Sequence, residues 1–330
     1  MSNELEAREE LHRQVEMTEV GQHMSLTPAP SAASDDIDEY GLASDSRGQW
    51  ATAFHRFVRS PRSMFGFVVF FGILITAFIY DLLNPLAYQT ITNNVLQPPS
   101  AGNWFGTDEL GKNVFAEVMK GTIQDIQVAF VVMIMAVTIG TLVGAIAGFY
   151  GGKIDNLLMR FVDLILVIPV LIILILLAHL ISGSSSNWLY LALIIGAVAW
   201  TYIARLVRAD LLSLREREFV EASRALGSSD WQMIRRHLIP NAIGPIVVNA
   251  TLTVAGAITI EATLSFLGLG IQPPGVSLGA LIANNQDSAN TFWWLFAFPT
   301  GMLLILILCV FFIGDGIQSA LDPKKSRVRA

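Results

Sequence analysis

Six long apolar runs alternate with polar segments along the chain, covering about residues 64–83, 126–149, 161–181, 188–204, 243–267 and 291–314. No Asp, Glu, Lys or Arg occurs between Asp163 and Arg205, or between Arg236 and Glu261. A bilayer's hydrocarbon core is about 30 Å thick, and roughly 20 apolar helical residues cross it. The pattern therefore predicts an all-α integral membrane protein with six transmembrane helices. Pro169 is expected to kink the third span. Ser182–Asn187 reads as a tight connection, and Gly268–Asn290 as a loop bearing Gly and Pro. Gly140, Gly144 and Gly148 are spaced by four in the second span, which bares one helix face for close packing by another helix.

The polar remainder divides the chain. Residues 1–55 form a polar, acidic tail expected to be disordered, residues 56–323 the transmembrane domain, and residues 324–330 a basic tail. The 205–242 segment, between spans four and five, is unlike the other connections. It carries seven of the 21 Lys and Arg residues. Ser213 and Glu216 have the spacing of a capping box. Phe219, Val220, Ala222, Ser223 and Leu226 are expected to share one face of a short helix, which Gly227 ends. Ser228, Ser229 or Asp230 then caps a second short helix, Trp231–Leu238, which Pro240 stops.

Composition agrees with a membrane protein: 53% of residues are hydrophobic and 15% charged, and the mean hydropathy is +0.55. The net charge of -6 is concentrated at the front, where residues 1–50 hold 11 Asp or Glu against three Arg. That front lacks the short apolar core of a signal peptide. The one cysteine, Cys309, permits no internal disulfide. Placing the N-terminus inside puts 19 Lys and Arg on the inner side and leaves only Lys112 and Lys120 outside. By the positive-inside rule, both termini and the 205–242 loop are cytosolic, in the inner (cytoplasmic) membrane.

A pair of short, Arg-rimmed helices suits a DNA reader, an amphipathic element on anionic lipid, or a docking knob for a soluble protein. Tethering to membrane at both ends argues against nucleic acid. Glu221-Ala222-Ser223, three residues, Gly227, nine residues and His237-Leu238-Ile239-Pro240 resemble the EAA motif of ABC importer permeases. Ser223 replaces the motif's third Ala, and His237 a position often taken by Ile. Further matches are Phe105-Gly106-Thr107-Asp108-Glu109-Leu110-Gly111, Tyr150-Gly151-Gly152, Glu261–Gly270, Gln272-Pro273-Pro274 and Gly314-Asp315-Gly316 with Leu321-Asp322-Pro323. The chain departs where the family carries Arg-Asp-Val and Gly-Ala-Arg, having Lys112-Asn113-Val114 and Gly121-Thr122-Ile123. Over about residues 55–323 it is most similar to the second permease subunit of dipeptide and oligopeptide importers.

The resemblance implies a type I importer permease fold whose cytosolic coupling helices seat in an ATPase subunit. Glu221, Ala222, Ser223, Ala225, Leu226, Gly227, Asp230 and Pro240 would form that contact. The implied partners are a second permease, two ATPase subunits or domains, an extracytoplasmic substrate-binding protein, and membrane lipid. The implied substrate is a di- or oligopeptide, with nickel or glycosides as the alternative. ATP and Mg would belong to the partner subunits, leaving this chain without catalytic residues or a cofactor.

Other constellations add little. Gly106–Asn113, GTDELGKN, nearly fits a phosphate-binding loop, but Asn113 replaces the magnesium hydroxyl and two acids face the phosphate site. Glu261, the acid placed well inside a span, is a candidate for the translocation path. The reading favoured is instead a carboxylate bonded to a neighbouring helix or hydrated near the outer surface. Asp163 and Asp315 lie at inner span ends, where pairing with Arg160 or Arg205 is the ordinary explanation. The five histidines show no metal-ligand spacing. A secondary transporter would need inverted repeats and coupling-ion sites, and a membrane enzyme a reactive pair; neither is readable.

Overall fold

A computed structural model describes residues 49–181 and 188–321; the Ser182–Asn187 connection, the acidic front and the last nine residues lie outside the described residues. The described chain is helical, with no strand beyond an isolated bridge between Thr107 and Asn113. In order the helices are α1 (Gln49–Arg59), α2 (Pro61–Leu83), α3 (Val114–Tyr150), α4 (Gly152–Val167) and α5 (Val170–Ile181). There follow α6 (Trp188–Leu214), α7 (Glu218–Ala225), α8 (Asp230–Phe266), α9 (Leu278–Asn285) and α10 (Trp293–Leu321).

Five helices (α2, α3, α6, α8 and α10) are each long and apolar enough to span, and α4 with α5 forms a sixth candidate bent by 81°. The bend lies at Pro169. Ile168, just before it, is extended at φ -84° and ψ 131°, as the proline ring demands of its predecessor. The broken pair is a true crossing. Gly140, Gly144 and Gly148 of α3 meet Ile203, Val207 and Leu211 of α6 in ascending order, so α3 and α6 run parallel. Two parallel spans need one crossing between them.

The helices outrun the apolar runs. α3 starts at Val114 rather than near residue 126, and its 37 residues extend about 55 Å, well past the hydrocarbon core. The added turns carry Glu117, Lys120 and Asp125; Lys120 Nζ lies 3.0 Å from both Asp81 carboxylate oxygens, Glu117 faces Lys112 at 3.8 Å, and Asp125 Oδ2 accepts from the Leu278 N–H. α6 continues to Leu214, so the first ten residues of the 205–242 segment extend a span instead of forming a loop. α1 straddles the boundary drawn at residue 56. The 268–290 loop contains α9.

Pro240 does not stop a helix. Five residues before it, Ile234–Leu238, open into a π-helical turn, and the Ile239 N–H bonds to the Ile234 carbonyl. Widening the turn absorbs the bond and the space that proline removes, so α8 passes through. Packing falls into distinct clusters. One gathers Val128, Val132, Ile195, Val198, Ile258 and Val310 in mid-bundle. A second joins Phe149, Leu211, Val220, Met233, Ile234 and Leu238 at the end near the 205–242 segment. A third joins Phe115, Val118, Leu278, Trp294 and Leu295 at the opposite end.

Candidate functional site

The 205–242 segment resolves into the end of α6, the short helix α7, a tight turn and the start of α8. Ser213 lies inside α6, so it caps nothing; the position before α7 is Arg217, extended and without a side-chain cap. α7 ends as its glycine predicts. Gly227 has φ +82°, its N–H bonds to the Arg224 carbonyl at 3.0 Å, and the Ser228 N–H reaches back to Ser223 at 3.2 Å. This pair of bonds is a Schellman motif. The Ser223 and Ser228 hydroxyls tie the same turn at 3.0 Å. Ser229 then caps α8, accepting from the Gln232 N–H.

The two faces of α7 differ from the expected arrangement. Val220 and Ser223 point inward and are buried, while Phe219, Ala222 and Leu226 point out. A helix separates positions three apart from their neighbours, so 219, 222 and 226 form one stripe and 220 and 223 another. Glu221, Ala225, Gly227, Asp230 and Pro240 are also exposed. Leu226 is 88% exposed and Trp231 55%, which leaves an apolar tip on an Arg-rich knob. Ser223 does not contribute to that tip.

Inward, the knob is fastened to the bundle. Arg215 Nη1 lies 3.3 Å from the Phe149 carbonyl and 3.5 Å from that of Gly148, a cation placed on the C-terminal end of α3. Its guanidinium sits over Gly151, where a Cβ would come within 2.7 Å of Nη1. About two helical turns back, Arg208 grips Asp155 through Nε at 2.7 Å and Nη2 at 2.6 Å. Arg205 pairs with Asp163. Thus α6, which leads into the knob, holds both sides of the Gly151-Gly152 turn between α3 and α4. The sequence did not show Asp155 or Arg215 as members of one site, because neither shares a local spacing with its partner.

Arg208→Gln leaves Asp155, 10% exposed at its side chain, without its cation. A charged hydrogen bond contributes about 1.5–3 kcal/mol, and the lower end is expected because Arg208 keeps 35% side-chain exposure. Thermal unfolding in detergent is expected to fall by a few degrees and to recover in part when Asp155→Asn is added.

The remaining sequence candidates have clear places. Gly140, Gly144 and Gly148 lie against backbone carbonyls of α6. In GTDELGKN, Asp108 Oδ1 accepts from the Leu110 and Lys112 N–H groups at 2.9 and 2.6 Å. Asn113 caps α3 through the Phe115 and Ala116 N–H groups. The segment is a helix-starting turn. Glu261 is fully buried and neighbours Asp125 of α3. No group of three or more possible metal ligands occurs among the described residues.

Residues 140–327 match the family described as binding-protein-dependent transport system inner membrane component. Residues 48–99 match the N-terminal TM domain of oligopeptide transport permease C. The chain is 37% identical over 275 residues to the oligopeptide transport system permease protein OppC of Mycobacterium tuberculosis strain H37Rv, covering 83% of this chain and 94% of that protein. It is 34% identical to the dipeptide transport system permease protein DppC of Alkalihalophilus pseudofirmus, covering 91% and 96%. Among solved structures, an inward-facing MetNI methionine ABC transporter chain matches with a TM-score of 0.50 and 26% identity, over 62% of this chain and 96% of that one.

Proposed function

Because this chain belongs to the binding-protein-dependent transport system inner membrane component family, we propose that it lines half of a path for short peptides and takes its drive from separate ATPase subunits. It is a membrane-spanning permease subunit of an ABC importer. The observation that carries the coupling role is the knob between α6 and α8. Its tip is apolar and exposed, and its root is bonded to the turn between α3 and α4. An exposed apolar patch rimmed by charge marks a protein contact.

Movement of the knob by an ATPase closing on ATP would pull Arg215 and Arg208 together with the α3–α4 turn. On this reading the bundle alternates between two arrangements, and a partner that binds one better shifts the population toward it. ATP and Mg would sit on the partner, since GTDELGKN is a structural turn. The charge bias favours a cytosolic knob and cytosolic termini. Residues 1–55 are proposed as a cytosolic tail, its last seven residues already part of α1, and 324–330 as a second. The second permease, two ATPases and an extracytoplasmic binding protein complete the assembly.

The peptide reading rests on the names of the relatives at 34–37% identity. It is tested by reconstituting the chain with the products of its neighbouring genes and measuring ATP-dependent uptake of a labelled tripeptide. Unlabelled di- and tripeptides are expected to abolish the signal, while nickel and glycosides leave it unchanged. Competition by nickel or a glycoside, but not by peptides, would reassign the substrate.

A further inference from the structure

Asp125 of α3 and Glu261 of α8 are both 0% exposed and lie within hydrogen-bonding reach of one another. Ser265 Oγ donates to Glu261 Oε1 at 2.7 Å, and the Leu278 N–H donates to Asp125 Oδ2 at 3.3 Å. The Ser277 hydroxyl lies beside both carboxyls. Asp125 Oδ1 and Glu261 Oε2 receive no bond from any N–H or hydroxyl.

No cation relieves the pair. Among the described residues, neither acid is in a salt bridge with Lys or Arg. On α3 the nearest charged groups look elsewhere: Glu117 toward Lys112 at 3.8 Å, and Lys120 toward Asp81. On α8 the other charges, Asp230, Arg235 and Arg236, are at the far end. α9 carries none, and α10 has only Asp315, near its opposite end. An ionised carboxylate has no hydrogen to give, so two carboxyls bond to each other only through a proton. Two adjacent buried negative charges without a cation are also strongly disfavoured.

We infer that Asp125 and Glu261 form a binding site for one shared proton, and that this proton latches α3 to α8 beneath α9. The seat of α9 depends on that distance. A Cβ on Gly279 would come within 2.2 Å of the Ala262 carbonyl of α8, and one on Gly121 of α3 within 3.2 Å of the Leu278 nitrogen. α9 is thus wedged between the helices that the two acids join. On its other side lies a cavity of about 410 Å³, walled by Lys112, Glu117, Gln272 and Asn284 and reached by Ser265 and Ser277. The two serines give the proton a route between cavity and pair. When the proton leaves, two carboxylates repel, α3 and α8 part, and the α9 wall of the cavity loosens.

The inference rests on this geometry and not on the transport reading, so its test needs no transport. In a Cys309→Ala background in lipid nanodiscs, Ala280→Cys, half-buried on the cavity side of α9, is labelled by a maleimide at graded pH. The labelling rate, corrected for thiolate fraction with a free cysteine peptide, is expected to rise about threefold or more from mildly acidic to alkaline pH. Asp125→Asn supplies a fixed amide hydrogen in place of the proton, and is expected to give a low rate independent of pH. Infrared spectra of the parent are expected to show a protonated-carboxyl band that either Asp125→Asn or Glu261→Gln removes. A flat corrected rate in the parent overturns the latch, as does the same rise in Asp125→Asn. A parent lacking any band sensitive to these substitutions overturns the shared proton.

Discussion

Gly144→Leu is expected to yield no folded protein, with the monodisperse peak in detergent falling at least about tenfold. A Cβ at this position would come within 2.4 Å of the Ala204 carbonyl and 2.9 Å of Val207 Cβ. The obstacle is backbone, which cannot rotate away. Each neighbour on the same stripe is also too tight for a Cβ: one on Gly140 would lie 2.7 Å from the Trp200 carbonyl, and one on Gly148 2.8 Å from that of Arg208. Relief therefore requires α3 and α6 to separate along their whole contact. Overpacking by a methylene or two costs about 1–3 kcal/mol, so Gly144→Ala should already lower thermal stability, and the leucine side chain should exceed what the bundle tolerates. Gly301→Ala is the control. It also lies in a long span, yet a Cβ there meets nothing within 4 Å. With helix propensity favouring Ala by about 1 kcal/mol, it is expected to be neutral or slightly stabilising. Equal losses in the Gly144 and Gly301 variants would show that helix spacing is not set by the glycine stripe.

That stripe was readable because its spacing and its contact share one helix, as do the crossings themselves, since hydrocarbon thickness imposes a minimum run of apolar residues. Helix ends were harder. Glu117, Lys120 and Asp125 make residues 114–125 look like a connection, whereas partners distant in sequence or outside the helix (Lys112, Asp81 and the Leu278 N–H) let α3 incorporate them. Pro240 looks like a stop until the π turn before it is seen. At the knob, Gly227 announces the end of α7 by its chemistry alone, since its left-handed conformation favours glycine. Ser223 carries no such signal: a small residue fits an inward or an outward face, and only the bond to Ser228 fixes it inward. Asp125 and Glu261 are the extreme case. They are 136 positions apart in sequence, and no local pattern relates residues whose helices meet only after the bundle has assembled.

Leu226→Asp is expected to release the ATPase subunits while leaving the permease intact. The side chain is 88% exposed and follows the last turn of α7, so its loss removes no packing within the chain. The turn itself is held by Gly227, Ser223 and Ser228 through bonds that Leu226 does not supply. In an interface, an apolar anchor of this kind contributes about 2 kcal/mol or more, equivalent to roughly 30-fold in affinity; burying a carboxylate in its place adds a further penalty. Co-isolation of the ATPase on a tagged chain should thus fall by an order of magnitude or more, and ATP-driven uptake with it. The thermal midpoint of the isolated chain and its recovery with the second permease should not change. Gly227→Trp attacks the same contact by a different route, forcing a bulky residue to hold φ +82° at a cost of about 1–2 kcal/mol and adding a ring to the tip. Both changes should therefore detach the ATPase. Full ATPase recovery and uptake in both variants would mean that force enters the bundle somewhere other than α7 and its turn.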